Sequence, residues 1–219
     1  MRLSPEEARV IGSLIEKQLT TPQQYPLTMN ALLLACNQSS NRDPVVEFDE
    51  RTVDNALTSL KAAGLVHFVY PSHGRSVTRY QQVLEEQLGM TEQQLALVGV
   101  LMLRGDQTVG ELRARTERMC DFDGIAQVDA ELERLSERPE PVVARLGRRP
   151  GQKEERWAQL LTDTSTAMTE EPFDDAPVVG ASQRLAAEGP ELRAEMAELR
   201  AEVNELRTEL ERLRRDLYG

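Results

Sequence analysis

Two cysteines and two histidines are the side chains of this 219-residue chain best suited to covalent or metal chemistry, and their placement argues against both. Cys36 closes the run "MNALLLAC" and is followed by "NQSSNRDPV". A nucleophilic thiol needs a neighbouring base or positive charge to hold its thiolate. The sequence nearby offers only Arg42, across a loop, while helical spacing puts Cys36 on one face with Met29, Leu32 and Leu33. It reads as a small buried side chain. Cys36 and Cys120 belong to no CxxC pair, and His67 and His73, six residues apart, do not match helical metal-ligand spacing. There is no Walker-type phosphate loop, no GxGxxG after a strand, no HExxH and no GxSxG. The expectation is a non-enzymatic protein without metal or cofactor.

The chemistry left is electrostatic. Phosphates demand Lys or Arg on the contacting surface, and base edges are read by Arg, Asn and similar donors. The candidates are Arg42, Arg51, Asn55, Lys61, Arg75 and Arg79 in the first part of the chain, then Arg148, Arg149, Lys153 and Arg156. Carboxylates stand against them: Glu47, Asp49, Glu50 and Asp54 in the first group, Asp121, Asp123, Asp129, Glu131 and Glu133 in the second. So many negative charges repel a phosphate backbone before any base is read. Double-stranded DNA is the leading expected partner, with transcription regulation as its context. The alternative is a protein-interaction scaffold that binds no DNA.

The elements that position these residues come from an internal repeat. "LSPEEARVIGSLIEK" from Leu3 and "MTEQQLALVGVLMLR" from Met90 align without gaps, pairing Ser4 with Thr91 and Gly12 with Gly99. Each opens with Ser or Thr followed three residues later by Glu or Gln, the capping box that satisfies amide donors at a helix start. The parallel continues with "TMNALLLACN" beside "TVGELRARTE", then "VDNALTSLK" beside "VDAELERLS". Val53, Ala56, Leu57 and Leu60 fall on one face of the third helix, leaving Arg51, Asp54, Asn55, Thr58 and Lys61 outward, and Gly64 ends it. Each third helix is followed by a strand pair, with Gly74 and the Pro150-Gly151 pair at the turns. Asn37, Asn41 and Asp43 suit the backbone of the corner before the first third helix, where Arg42 keeps the option of a phosphate contact. Three helices and a hairpin, twice, predict tandem winged helices over residues 1–88 and 89–162. The fold class expected is mainly α with small β-hairpins, an α+β arrangement, followed by a coiled-coil helix.

The run "EARVIGSLIEKQLTTPQQYPLTMNALLLACNQSSNRDPV" and the later "LMLRGDQTVGELRAR" resemble the bacterial YceH-like family over most of residues 3–161. The resemblance implies a bacterial origin, tandem winged helices and a C-terminal coiled-coil tail. It implies no reaction, ligand or catalytic residue.

The tail predicts a partner. Leu192, Met196, Leu199, Val203, Leu206, Leu210, Leu213 and Leu217 alternate spacings of four and three, a heptad seam. With Met196, Val203, Leu210 and Leu217 at a, every g position is acidic and every e position is Arg. Parallel pairing sets those charges in opposition, whereas antiparallel pairing sets like charges together. A parallel homodimer through residues 190–219 is expected; the rival is a helix that packs on its own chain. Residues 163–189, rich in Thr, Asp, Glu, Pro and Gly, read as a flexible linker with a reach of roughly 30 Å. Residues 163–219 carry 7 Lys and Arg against 14 Asp and Glu, so they supply most of the net charge of −11 and leave the body nearly neutral. The opening residues contain no signal-peptide run and no segment suits a membrane span, so a cytoplasmic protein without a membrane partner is expected.

Overall fold

The computed structural model describes residues 2–71, 77–148 and 154–162. The chain divides into two compact units, Met1–Thr169 and Glu170–Gly219. The expected linker, the expected coiled coil and its seam residues Leu192 to Leu217 lie outside the described residues, as do Arg75, Arg149 and Lys153.

Two capped helices form the centre of the first unit. Helix α1 (Pro5–Thr20) starts at Ser4, whose side chain accepts from the Glu7 amide while Glu7 reaches back to the Ser4 amide. The fourth helix-length apolar segment downstream repeats this device with Thr91 and Gln94 at the start of Glu92–Arg104. Every residue from Ala8 to Glu16 and from Gln94 to Leu103 is buried, the signature of central helices covered on all sides. The two helices pack on each other where the aligned glycines sit. A Cβ on Gly12 would lie 2.9 Å from Leu103 Cγ and 3.2 Å from Met102 Cβ, and one on Gly99 would lie 2.7 Å from Ile15 Cγ2. Since Gly12 aligns with Gly99 and Ile15 with Met102, the two contacts are counterparts. The repeats meet about an approximate two-fold relation.

Around α1 stand α2 (Met29–Cys36), capped by Thr28, and α3 (Glu50–Ala62), capped by Asp49. The core face of α3 is Val53, Ala56, Leu57 and Leu60, as the spacing predicts, and Gly64 stops the chain at a φ of 72°. A short helix, α4 (Leu84–Leu88), leads to the second repeat, in which α5 is Glu92–Arg104, α6 is Val109–Thr116 and α7 is Ile125–Ser136. Helix α7 buries Val128, Leu132 and Leu135, but its position equivalent to Ala56 is Glu131. That buried carboxylate accepts from Gln94 Nε2 at 2.8 Å and pairs with Arg134.

The strands are β1 (Leu27–Thr28), β2 (Val66–Val69), β3 (Arg79–Gln82), β4 (Val143–Leu146) and β5 (Arg156–Gln159). The first sheet has the antiparallel order β1-β3-β2, with Leu27 opposite Tyr80 and Tyr80 opposite Phe68. The second pairs β4 with β5, and an isolated bridge from Gln107 to Trp157 stands where β1 stands in the first. Residues 27 and 107 occupy equivalent places before the second helices, so the third strand survives there as one bridge. Cross-strand partners also correspond: Phe68 meets Tyr80 edge-on at 4.9 Å, and Arg145 lies over Trp157 at 4.9 Å. The unit is thus a mixed α+β structure of seven helices and small antiparallel sheets among its described residues. None of these helices is long and apolar enough to cross a membrane.

Candidate nucleic-acid interface

The corner between α2 and α3 is built from buried cations. The Arg42 side chain is fully buried, with Nη2 at 2.7 Å and Nη1 at 3.3 Å from the two carboxylate oxygens of Glu16. Its Nε and Nη2 donate to the Ala35 carbonyl, Nη1 to the Asn41 carbonyl and Nη2 to Gln38. Arg9, also buried, donates to the carbonyls of Cys36 and Pro44. Two guanidiniums therefore satisfy carbonyls that the end of α2 leaves without helical partners. The expected phosphate contact at Arg42 is corrected on this ground: its donors are spent inside the fold. Asn37 completes the corner, donating to the Phe48 carbonyl and accepting from the Phe48 amide. Asn41 takes a φ of 58° and accepts from Arg104, and the Asp43 amide donates to the Leu103 carbonyl, so the corner also holds the second repeat.

Burial pushes the Cys36 thiol up, against the opposing effects of Ser13, Arg42 and Arg9. Burial, then Glu92 and Asp121, push the Cys120 thiol up to about 11. Both thiols are buried and held protonated, the reverse of what a nucleophile requires. No group of three or more His, Cys, Asp or Glu suited to a metal ion occurs among the described residues.

On α3 the residues Arg51, Asp54, Asn55, Thr58 and Lys61 all face solvent. Arg51 and Asn55 are one turn apart and so share a face. Lys61 Nζ donates to Tyr70 Oη at 2.8 Å and lies 4.4 Å from the centre of the Phe68 ring, at the foot of the hairpin. Arg79 is exposed on β3 and donates to the Pro26 carbonyl at 2.8 Å. Of the opposing carboxylates, Asp49 is committed to capping: its Oδ1 accepts from the Thr52 amide at 2.8 Å. Hydrogen bonding from Thr52 holds its carboxyl below the usual range.

The second repeat differs position by position. Aligning Val53 with Val128 puts Ile125 at Glu50, Ala126 at Arg51, Asp129 at Asp54, Ala130 at Asn55, Glu133 at Thr58 and Ser136 at Lys61. No cation and no base-reading amide remains at these places. Two of its described hairpin cations, Arg145 and Arg156, are engaged within the fold. Arg156, a sequence candidate, donates to the Asp106 carbonyl at 2.7 Å and to Glu111 at 3.0 Å. Arg145, which sequence reasoning passed over, meets Asp129 and Glu155 at 3.2 Å each and also pairs with Glu133. Arg148 is exposed at the rim of a groove that this hairpin shares with α6 and α7. The structure thus gathers Arg51, Asn55 and Lys61 on one helix face, with Arg79 on the adjoining sheet.

Comparison with known proteins gives consistent relatives. The pattern of the family described as "Protein of unknown function, DUF480" matches residues 3–152. A UPF0502 protein of Pelobacter propionicus is 47% identical over 191 residues, covering 85% of this chain and 86% of its own. One from Solibacter usitatus is 44% identical over 85% of this chain and 92% of its own, and one from Geobacter sulfurreducens is 45% identical over 85% and 83%.

Proposed function

This chain belongs to the bacterial DUF480, or UPF0502, family, and from that premise we propose that it is a non-enzymatic tandem winged-helix protein that binds double-stranded DNA through its first repeat. The domains proposed are residues 1–88 and 89–162, joined by a linker over 163–189 to a parallel dimeric coiled coil over 190–219. In this reading α3 enters the major groove and the β2–β3 hairpin lies against the backbone. The observation that carries it is the solvent face of α3, where Arg51, Asn55, Thr58 and Lys61 stand together. Arg suits guanine and Asn suits adenine by bidentate hydrogen bonds, and Asp54 can accept from cytosine N4. Lys61 and Arg79 supply the phosphate contacts beside them. A dimer doubles this surface, which raises effective concentration on a two-site duplex.

Fluorescence anisotropy with random and genomic duplexes across 50 to 200 mM salt tests the reading. Binding that weakens steeply with salt, and that Arg51→Ala/Asn55→Ala/Lys61→Ala removes, supports it. Absence of binding near 50 mM salt, or affinity indifferent to that triple change, overturns it. Sedimentation with and without residues 190–219 tests the dimer, and an unchanged monomer mass defeats it. The second reading, a protein-interaction scaffold, draws on the acidic face of α7.

A further inference from the structure

The loss of cation and amide from the α7 positions that match Arg51, Asn55 and Lys61 leaves a surface with its own chemistry. A groove of about 490 Å³ lies between the starts of α6 and α7 and the β4–β5 hairpin. Val109, Ala126 and Trp157 line it, together with Ile125, which is 57% exposed. An isoleucine so exposed at the first position of an amphipathic helix, where the first repeat has Glu50, contributes nothing to this fold's core. Beside it, three carboxylates converge on one guanidinium: Arg145 pairs with Asp129, Glu133 and Glu155. Three negative charges against one positive leave a local surplus of two. Burial lowers the Arg145 pKa, but Glu133, Glu155 and Asp129 outweigh it and raise it, as an excess of negative charge must. Arg148 and Glu154, one charge of each sign, also line the groove.

We infer that this face of α7 and the β4–β5 hairpin docks a basic segment of a partner protein, one that sets an aliphatic side chain against Ile125 and a Lys or Arg among Asp129, Glu133 and Glu155. The charge selects the partner. A phosphate backbone meets carboxylates here and finds no donor at the positions that serve base reading in the first repeat. A cationic side chain finds acceptors already oriented, because Arg145, stacked over Trp157 at 4.9 Å, holds them in place before the partner arrives. Preorganised acceptors spare the side-chain ordering that weakens most exposed ion pairs. The inference stands apart from the DNA reading, since it uses neither α3 nor the β2–β3 hairpin.

The protein's only tryptophan, Trp157, is a reporter placed in the wall of the groove. Two heptapeptide pools, one varying Leu, Ile, Lys and Arg at every position and one varying Leu, Ile, Asp and Glu, are titrated into the full chain while Trp157 emission is followed. The basic pool gives a saturable shift and the acidic pool gives none. Glu133→Gln weakens the response roughly tenfold, and Ile125→Arg, at an exposed position that leaves the core untouched, abolishes it with the far-ultraviolet spectrum unchanged. No saturable response up to millimolar peptide, or one indifferent to Ile125→Arg, overturns the inference. So does a duplex-induced Trp157 shift that Ile125→Arg abolishes, which assigns the face to nucleic acid. Anisotropy of the Arg51/Asn55/Lys61 variant is read separately, so loss of one reading leaves the other standing.

Discussion

Replacing Arg42 by Met separates the buried-corner reading of this residue from the surface reading that the sequence allows. The side chain has no exposure, and that of its partner Glu16 is 8% exposed. Removing one member of a buried pair costs about 3–5 kcal/mol, and Glu16 would keep only the Lys17 ammonium, at 3.3 Å, to offset its charge. The Ala35 carbonyl also loses both of its Arg42 bonds. A loss of about 4 kcal/mol is a large share of the roughly 5–15 kcal/mol that holds an ordinary domain. In urea, with a slope of about 2 kcal/mol per molar, the midpoint falls by about 2 M. Arg42→Met/Glu16→Leu removes the stranded carboxylate and leaves only the orphaned carbonyls, so it recovers to within about 1–2 kcal/mol of wild type. Acid titration supplies a second check. Burial raises the Glu16 pKa, but the Arg42 hydrogen bonds and charge, with Lys17, outweigh it and hold the carboxyl below its usual value. A depressed folded pKa means that the stabilisation is complete above the unfolded value, about 4.3, and disappears as pH falls through the folded one. The double variant therefore loses less stability than wild type on acidification below about pH 4.5. An Arg42→Met protein within 1 kcal/mol of wild type would refute this reasoning and return the guanidinium to solvent.

The central crossing is sensitive to a single methyl. Gly99→Ala sets a Cβ 2.7 Å from Ile15 Cγ2, an overpacking of about 1–3 kcal/mol that the better helix propensity of Ala only partly offsets, so thermal unfolding shifts down. An unchanged or higher Tm shows that α1 and α5 do not meet so closely. Thr28→Ala removes the side chain that accepts from the Ala31 amide and lowers stability by about 1 kcal/mol in urea unfolding; no change means the cap is replaced by water. With their thiols buried and raised, Cys36 and Cys120 react with a disulfide reagent at pH 8 only in denaturant; labelling of the native protein at a free-thiol rate contradicts their burial.

What the sequence displays and what it hides divide along the range of the interactions. Capping boxes at Ser4 and Thr91, the apolar face of α3 and the stop at Gly64 rest on residues within one or two turns, and the structure has them where periodicity puts them. The strand β1 is two residues long and gains its identity only from Tyr80 and Arg79 opposite it, more than fifty positions away. The fate of each cation is equally long-range. Arg42 is joined to Glu16 across twenty-six positions and Arg156 to Glu111 across forty-five, so a count of charges by segment cannot tell a free guanidinium from a spent one. Arg145 was the reverse case. Asp129, Glu133 and Glu155 surround it from two elements, and the one signal available beforehand was its place in a strand facing an acidic helix.

The repeat also bears on how its two faces work together. A duplicated unit relieves one copy of a constraint, and the substitutions at Arg51, Asn55, Thr58 and Lys61 by Ala126, Ala130, Glu133 and Ser136 change the exposed face while Val53, Leu57 and Leu60 keep apolar counterparts in Val128, Leu132 and Leu135. The core face is kept at these three positions, while buried Glu131 stands in the place of Ala56. Because Gly12 and Gly99 let α1 and α5 share one close-packed core, the faces are held by a joint with no room to slide. If α3 and α7 each bind the ligand proposed for it, the two are presented at a fixed separation, and their coupling is that of a rigid tether whose effective concentration the fold, not a linker, determines.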